Sequence, residues 1–125
     1  MSKQLKICAM SDLHGHLPNP EQIEQVDVVV ICGDIVPLKI QRERIFVEEW
    51  LRNEFKEWVQ SLPCERVIMI PGNHDFHFHQ LSREKITDTI NQIGKKLIYL
   101  EDDTYIYKGV SFYGCPWCTG PLNWA

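Results

Sequence analysis

The sequence predicts an α/β fold in which a mostly parallel sheet is flanked by helices. Short apolar runs rich in Val and Ile alternate with longer segments that repeat their apolar residues at helical spacing. Strands that are apolar on both faces are typical of parallel sheets buried between other layers. Strands that alternate with helices favour right-handed crossovers, which place successive strands side by side and parallel.

Four segments have the pattern of buried strands, and a hairpin comes after them. The four are residues 5–10, 26–31, 66–70 and 97–100. We expect each of them to be buried between helices. Residues 104–107 and 110–113 then flank Lys108 and Gly109, which predicts two antiparallel strands joined by a two-residue turn.

Two segments have helical periodicity. The first covers residues 44–62, and its apolar residues predict one broad face packed on the sheet; they are Phe46, Trp50, Phe55, Trp58, Val59 and Leu62. The second covers residues 82–93, with Ser82 as the N-cap and Gly94 as the C-terminal cap. Its inward stripe is Ile86, Ile90 and Ile93.

Composition limits the classes of function. The chain has 125 residues, enough for one domain, with 44% hydrophobic residues and a formal net charge of -4. This charge argues against a basic surface for nucleic acids or membranes, and a phosphate ligand would need bound cations to offset it. The start of the chain has no signal-peptide pattern and no apolar run has membrane length, so we expect a cytoplasmic protein.

The cysteines are expected to be reduced thiols without a catalytic role. Cys8 and Cys32 lie within apolar strand segments and are predicted to be small core residues. Cys115 and Cys118 have the spacing of a redox or zinc pair. However, the sequence has no second pair to complete a four-cysteine zinc site, and the two do not follow a strand and open a helix.

Polar runs follow the first three predicted strands. Asp12 and His14 follow the first, Asp34 follows the second, and Asn73 follows the third. Because the carboxyl ends of parallel strands form the binding crevice of such a sheet, we expect these side chains to converge. Asp12 and His14 are two residues apart, so an extended backbone would direct both to one side. Carboxylate, imidazole and amide groups together suit hard or borderline divalent metals.

The glycines of these runs fit the same interpretation. Gly33 and Gly72 each precede a predicted ligand. Without a Cβ, they allow the backbone to approach a metal or a phosphate closely.

The three runs together resemble the calcineurin-like metallophosphoesterase family. That family shows Asp-x-His, then Gly-Asp-x-x-x-Pro or a similar run, then Gly-Asn-His followed by Asp or Glu, each after a strand. The corresponding runs here are residues 12–14, 33–37 and 72–75, in the same order. One such motif would be weak, whereas three in register are specific. The stretch from Phe112 to the end is also similar to one found in a subgroup of small phosphoesterases.

The resemblance implies a site for two divalent ions, which Mn, Fe, Zn or Ni would suit. Asp12 and His14 would hold the first ion, Asp34 would bridge the two, and Asn73 would hold the second. Manganese is the ion we expect first, although these ligand types do not select one metal.

The resemblance also implies a reaction, hydrolysis of phosphate mono- or diesters by a metal-activated water. His74 would lie beside the phosphate and donate to the leaving oxygen, and Asp75 would orient His74. Phosphodiesters are preferred over phosphoproteins because the sequence shows no extended basic groove.

One departure from the family pattern leads to three further expectations. The family supplies further ligands from a lone histidine and a Gly-His-x-His run, whereas all five histidines here precede residue 80. Residues 1–125 are therefore expected to be the N-terminal part of a truncated domain that lacks the second half of its sheet sandwich. The alternative function is an inactive remnant that binds metal weakly or serves as an interaction module. A homo-oligomer would cover the exposed half of the core.

Five other residues have open roles. His16 is expected in a loop near the substrate. His77 and His79 either replace the missing ligands or, as the preferred interpretation, are surface or helix-entry residues. Asn123 and Trp124 are candidates to close a substrate pocket.

Overall fold

Four short parallel strands form the centre of the molecule. The computed structural model describes residues 4–72 and 75–115. The strands, in spatial order along the sheet, are β1 (Ile7–Met10), β2 (Val28–Cys32), β3 (Arg66–Ile70) and β4 (Leu97–Tyr99). Each is hydrogen-bonded in parallel to the next. The predicted parallel sheet with flanking helices is therefore confirmed, and the carboxyl ends of β1, β2 and β3 lie at one edge.

The helices lie between consecutive strands in the chain. A 3₁₀ turn (Pro20–Gln22) precedes β2. Between β2 and β3, α1 (Arg44–Trp50) continues through a π-helical segment (Leu51–Phe55) into α2 (Lys56–Ser61). Between β3 and β4 lie α3 (Phe76–Gln80) and α4 (Arg83–Ile93). In α4 the Ser82 side chain accepts a hydrogen bond from the Lys85 amide, Gly94 occupies the C-cap, and the three predicted isoleucines are buried.

The two faces of the sheet are covered differently. One face packs on the helices and forms the main core, centred on residues such as Val29, Ile31 and Met69. The other face carries a small cluster around Val28 and Ile68, packed against a β-hairpin rather than a helix. The expectation that helices bury both faces was therefore wrong, because the aromatic side chains of the hairpin take the place of a helix.

The hairpin consists of β5 (Asp103–Tyr107) and β6 (Val110–Gly114), paired antiparallel. Lys108 and Gly109 both have positive φ, 49° and 82°, as a two-residue hairpin turn with the matching twist requires. The hairpin covers only part of its face of the sheet. Ile7 is 47% exposed, and Ala9 is also exposed.

The cysteine prediction is half confirmed. Cys8 is half-buried and packs against the main core. Cys32, the last residue of β2, is exposed, because it points to the face that the hairpin covers incompletely. Cys118 lies outside the described residues.

The long helix is confirmed, but its buried face is shifted at the start. Phe46 is 55% exposed, whereas Val47 is fully buried. Trp50 and Phe55 are both buried although they are five residues apart. The π-helical segment that follows Trp50 is consistent with this, because a π-helix places residues five apart on the same side. The sequence pattern counted Phe46 as core because it lies four residues before Trp50. None of the described helices is both long and apolar enough to cross a bilayer.

His77 lies in α3 and is 4% exposed. Its Nε2 is buried and has no hydrogen-bond partner among the described residues. Burial lowers the pKa of His77, with Glu48 opposing this and Arg44 reinforcing it. His77 therefore lies at a helix entry, as one of the two expected positions, but it is not a surface residue. The side chain of His79 lies outside the described part of the chain.

Replacing Phe55 with Ala should lower the free energy of unfolding by about 3–5 kcal/mol. Phe55 is fully buried and its ring lies 5.4 Å from that of Trp50. Chemical denaturation measures the change, and Phe46→Ala is the matched control because it removes the same side chain from an exposed position. An equal loss in both variants would contradict the description of this core.

The stability of the fold should decrease as the pH is lowered, because His77 is buried. A buried histidine with a lowered pKa stays neutral while the unfolded chain takes up a proton below about pH 6.5. The resulting stability is therefore complete above that pH and decreases as pH falls below it. His77→Gln should flatten this decrease in Tm between pH 7 and 5, whereas His16→Gln, at an exposed histidine, should not. Identical pH profiles for the two variants would refute this role.

Candidate metal centre

The loops that follow β1 and β2 are joined by their backbones. Three amides of the first loop donate hydrogen bonds to three consecutive carbonyl oxygens of the second. These are Asp12 N to Gly33 O (3.2 Å), His14 N to Asp34 O (2.8 Å) and Gly15 N to Ile35 O (2.8 Å). The two loops thus continue the pairing of their strands past the end of the sheet, which fixes the residues they carry relative to each other.

This pairing brings three predicted metal ligands together. Asp12, His14 and Asp34 each place one potential ligand atom within 4.8 Å of the others. Asp12 is exposed, His14 is half-buried and Asp34 is 9% exposed. Asn73 and His74 lie outside the described residues. The three groups offer two carboxylates and an imidazole to a common centre that is open to solvent on one side.

All three residues have a left-handed backbone. Their φ angles are 54° for Asp12, 45° for His14 and 52° for Asp34. The expectation that an extended backbone directs Asp12 and His14 to one side was wrong, because the convergence comes from a turn instead. Non-glycine residues in this region cost about 1–2 kcal/mol each and are concentrated at functional sites.

Two glycines allow the third loop to lie against this centre. A Cβ on Gly33 would approach the Cα of Gly72 to 2.6 Å. A Cβ on Gly72 would approach the carboxylate carbon of Asp34 to 2.7 Å. These distances are too short for real Cβ atoms, so any larger residue would displace the Asp34 carboxylate. Gly33 and Gly72 thus let the loops pack on each other and on Asp34, whereas the sequence predicted an approach to a metal or a phosphate.

Asp75 ties the loop after β3 to the loop after β2. Its side chain is 1% exposed. The carboxylate accepts hydrogen bonds from the Ile35 amide (2.9 Å), the Val36 amide (3.2 Å) and the Gly72 amide (2.8 Å). The Asp75 amide donates in turn to the Gly72 carbonyl (3.1 Å). Asp75 therefore fixes the chain on both sides of Asn73 and His74.

The electrostatics of Asp75 follow from this position. Burial raises the pKa of its carboxyl group, the three amide donors lower it, and the nearby Asp34 charge raises it further. Two carboxylates held close together in a partly dry site favour a cation between or beside them.

The remaining candidates whose side chains the structure describes, His16 and His77, are not part of this centre. His16 is exposed, and its amide donates to the Leu13 carbonyl in a turn. Among the described residues, the group of potential ligands includes no further histidine, so His77 is not a substitute ligand here. Asn123 and Trp124 lie outside the described residues.

Sequence reasoning missed the link that Asp75 makes between loops. It assigned Asp75 to His74, whereas its hydrogen bonds to described residues are all with backbone amides. The available signal was the position of Asp75, three residues after Gly72 in a Gly-Asn-His-Asp run. An acidic residue at that spacing can bond back to an amide of its own loop, but its partners on another strand were not predictable.

Asp75→Asn should lower the free energy of unfolding by about 1–3 kcal/mol. The amide would present an NH₂ group to backbone N–H groups that need an acceptor, so one or more buried donors would lose their partner. Thermal or urea unfolding without metal measures the loss. Asp88→Asn, an exposed aspartate on α4, is the control. If both variants changed stability by less than about 0.5 kcal/mol, Asp75 would not hold the loops together.

The chain is similar to known proteins along most of its length. The metallophosphoesterase domain-containing protein 1 of Homo sapiens and its counterpart in Mus musculus are each 29% identical to the chain over 140 residues. These alignments cover 95% of this chain but only 39% of each relative. Residues 5–114 match the sequence pattern of the calcineurin-like phosphoesterases. Because that match includes β1 to β6 and all three loops of the candidate centre, the chain belongs to the calcineurin-like phosphoesterase family.

Proposed function

We propose that this chain carries a metal-dependent phosphoesterase domain that hydrolyses phosphate esters at a site for divalent ions. The single observation that carries the proposal is the convergence of Asp12, His14 and Asp34 at the carboxyl ends of β1 and β2. Neighbouring parallel strands with two carboxylates and an imidazole at one edge are well suited to a borderline divalent metal.

The donor set and its surroundings fit such ions. Asp12, His14 and Asp34 would hold the metal, with Asn73 as a further oxygen ligand. The backbone of Gly72 lies against the Asp34 carboxylate, and Asn73 directly follows Gly72 in the sequence. We propose two ions, drawn from Mn, Fe, Zn or Ni, with Asp34 shared between them. When bound, the ions supply Lewis acidity and lower the pKa of a water molecule.

Charge explains why the chain needs cations to bind a phosphate. Asp12 and Asp34 contribute two negative charges to the centre, and the chain as a whole has a net charge of -4. A phosphate anion would be repelled by these carboxylates in the absence of metal. The affinity of the site for phosphate should therefore depend on the metal that the carboxylates hold.

We propose that His74 donates a proton or a hydrogen bond to the leaving oxygen. Asp75 would act as a positioning residue for it, because its carboxylate holds Gly72 on one side of His74 and Ile35 and Val36 across the site. A rigid frame of this kind keeps a general acid within hydrogen-bond reach of its substrate.

The substrate class we propose is a phosphomonoester or phosphodiester, with diesters preferred. The human and mouse relatives are named metallophosphoesterases, which supports phosphate esters in general. The centre is shallow on the Asp12 side, since Asp12 is exposed, and this leaves room for a substituent on a second phosphate oxygen.

Asp34→Asn should abolish both tight metal binding and metal-dependent hydrolysis. The substitution removes the negative charge of a direct metal ligand. The loss of Mn²⁺ affinity should therefore exceed the roughly 10- to 100-fold loss that follows when a hydrogen-bond partner of a ligand is removed. Calorimetry with Mn²⁺ measures the affinity, and hydrolysis of an aryl phosphodiester measures turnover.

Asp88→Asn is the control, because it removes the same charge from the surface of α4. Unchanged hydrolysis in Asp34→Asn would refute the assigned site. Tight metal binding by the unaltered chain without any turnover would instead support a metal-binding module that is not an enzyme.

A further inference from the structure

A crevice of about 460 Å³ lies beside the candidate metal centre. This volume is within the range of small-molecule sites. Its walls come from the loops after β1 and β2 and from the long helix. The lining includes Gly15, Pro37, Ile40, Phe46, Trp50 and Asn53.

The crevice shares a wall with the metal centre. Gly15 comes directly after His14, so the two Cα atoms are about 3.8 Å apart. Gly15 also donates its backbone hydrogen bond to Ile35, the residue after Asp34. A Cβ on Gly15 would overlap the ring of Pro37, so the glycine allows the two loops to close into this wall. The crevice and the candidate centre are therefore formed by neighbouring residues of the same two loops, although the crevice lining does not include Asp12, His14 or Asp34.

Phe46 is the exposed aromatic surface of the crevice. It is 55% exposed, whereas Phe55 on the same long helix is fully buried. Trp50 and Ile40 form the deeper, more buried lining. The π-helical segment begins directly after Trp50 and includes Asn53. Such segments often occur at functional sites, because they reorient side chains relative to a regular helix.

The charges at the rim favour an uncharged occupant. Glu49 and Glu54 lie at the rim with Lys39 as the cation, so the local balance is negative. A second phosphate or a carboxylate would be repelled there. An uncharged ring fits better, because its faces contact Phe46 and its edge contacts the polar rim.

We propose that this crevice receives the uncharged aromatic group of the phosphate ester, and that Phe46 is a specificity-determining residue. This inference rests on the proposed function, because it assumes that the phosphate lies at the neighbouring metal centre. It adds the substrate class: an ester of an aromatic or similarly flat alcohol.

The first test uses the metal-free chain, so it does not depend on catalysis. Benzyl alcohol is titrated while the backbone amides are followed by NMR. Shifts centred on Phe46 and Asn53 are expected in the unaltered protein and in Ile45→Ala, and they should be lost in Phe46→Ala. Ile45 is the matched control because it is 71% exposed beside Phe46 but does not line the crevice. Absence of these shifts in the unaltered protein would overturn the inference.

The second test compares phenylphosphonate with methylphosphonate by calorimetry on the Mn²⁺-loaded chain. Burial of roughly 55 Å² of ring surface corresponds to about tenfold in affinity. We therefore expect phenylphosphonate to bind about tenfold more tightly, with the preference retained in Ile45→Ala and reduced below about twofold in Phe46→Ala.

The two failures are distinguishable. Equal, metal-dependent binding of both phosphonates would overturn the crevice inference and leave the proposed function intact. Failure of both phosphonates to bind, together with benzyl alcohol shifts at Phe46, would overturn the proposed function and the assignment of the crevice to a phosphate ester.

Discussion

The candidate site depends on one buried carboxylate that connects two loops. Asp75 accepts hydrogen bonds from the amides of Ile35, Val36 and Gly72, which belong to the ends of neighbouring strands. The loops after β1 and β2 are paired through their backbones, whereas the loops after β2 and β3 are joined through the side chain of Asp75. Its burial is unfavourable for the charged form, and the amide donors offset that cost by satisfying the carboxylate.

The frame that Asp75 provides makes a strained set of ligands possible. Asp12, His14 and Asp34 all have positive φ, a conformation that costs more than a relaxed turn would. The backbone hydrogen bonds between the first two loops hold Asp12 and His14 in place, and the close approach of Gly72 confines Asp34. The result is that the three potential ligands of the candidate centre are held in one arrangement by the loops themselves. The positive φ angles lower the local stability of the fold, and the same angles keep the site in one arrangement.

Much of the fold could be predicted from the sequence, because its signals are local. The strands around Val29 and Ile68, the caps of α4 and the turn at Lys108 and Gly109 depend on periodicity and on single residues that favour particular φ values. The meeting of Asp34 with the loop of Asp12 and His14 was also predictable from strand order, whereas the turn that directs Asp12 and His14 to one side was not. Three further features were not predictable. Phe46 lies outside the buried face, which includes its neighbour Val47, the partial cover of the sheet leaves Cys32 exposed, and the partners of Asp75 come from a distant loop. Each depends on packing between elements that are far apart in sequence.

These features meet at the wall between the metal centre and the crevice. Gly15 and Pro37 pack on each other, and each lies within three residues of a proposed metal ligand. The same π-helical segment that accommodates Phe55 in the core begins beside Trp50 in the crevice lining. Phe46, displaced from the core, is therefore available as a contact surface beside the site. The core, the candidate metal centre and the crevice are thus linked through one helix and two loops.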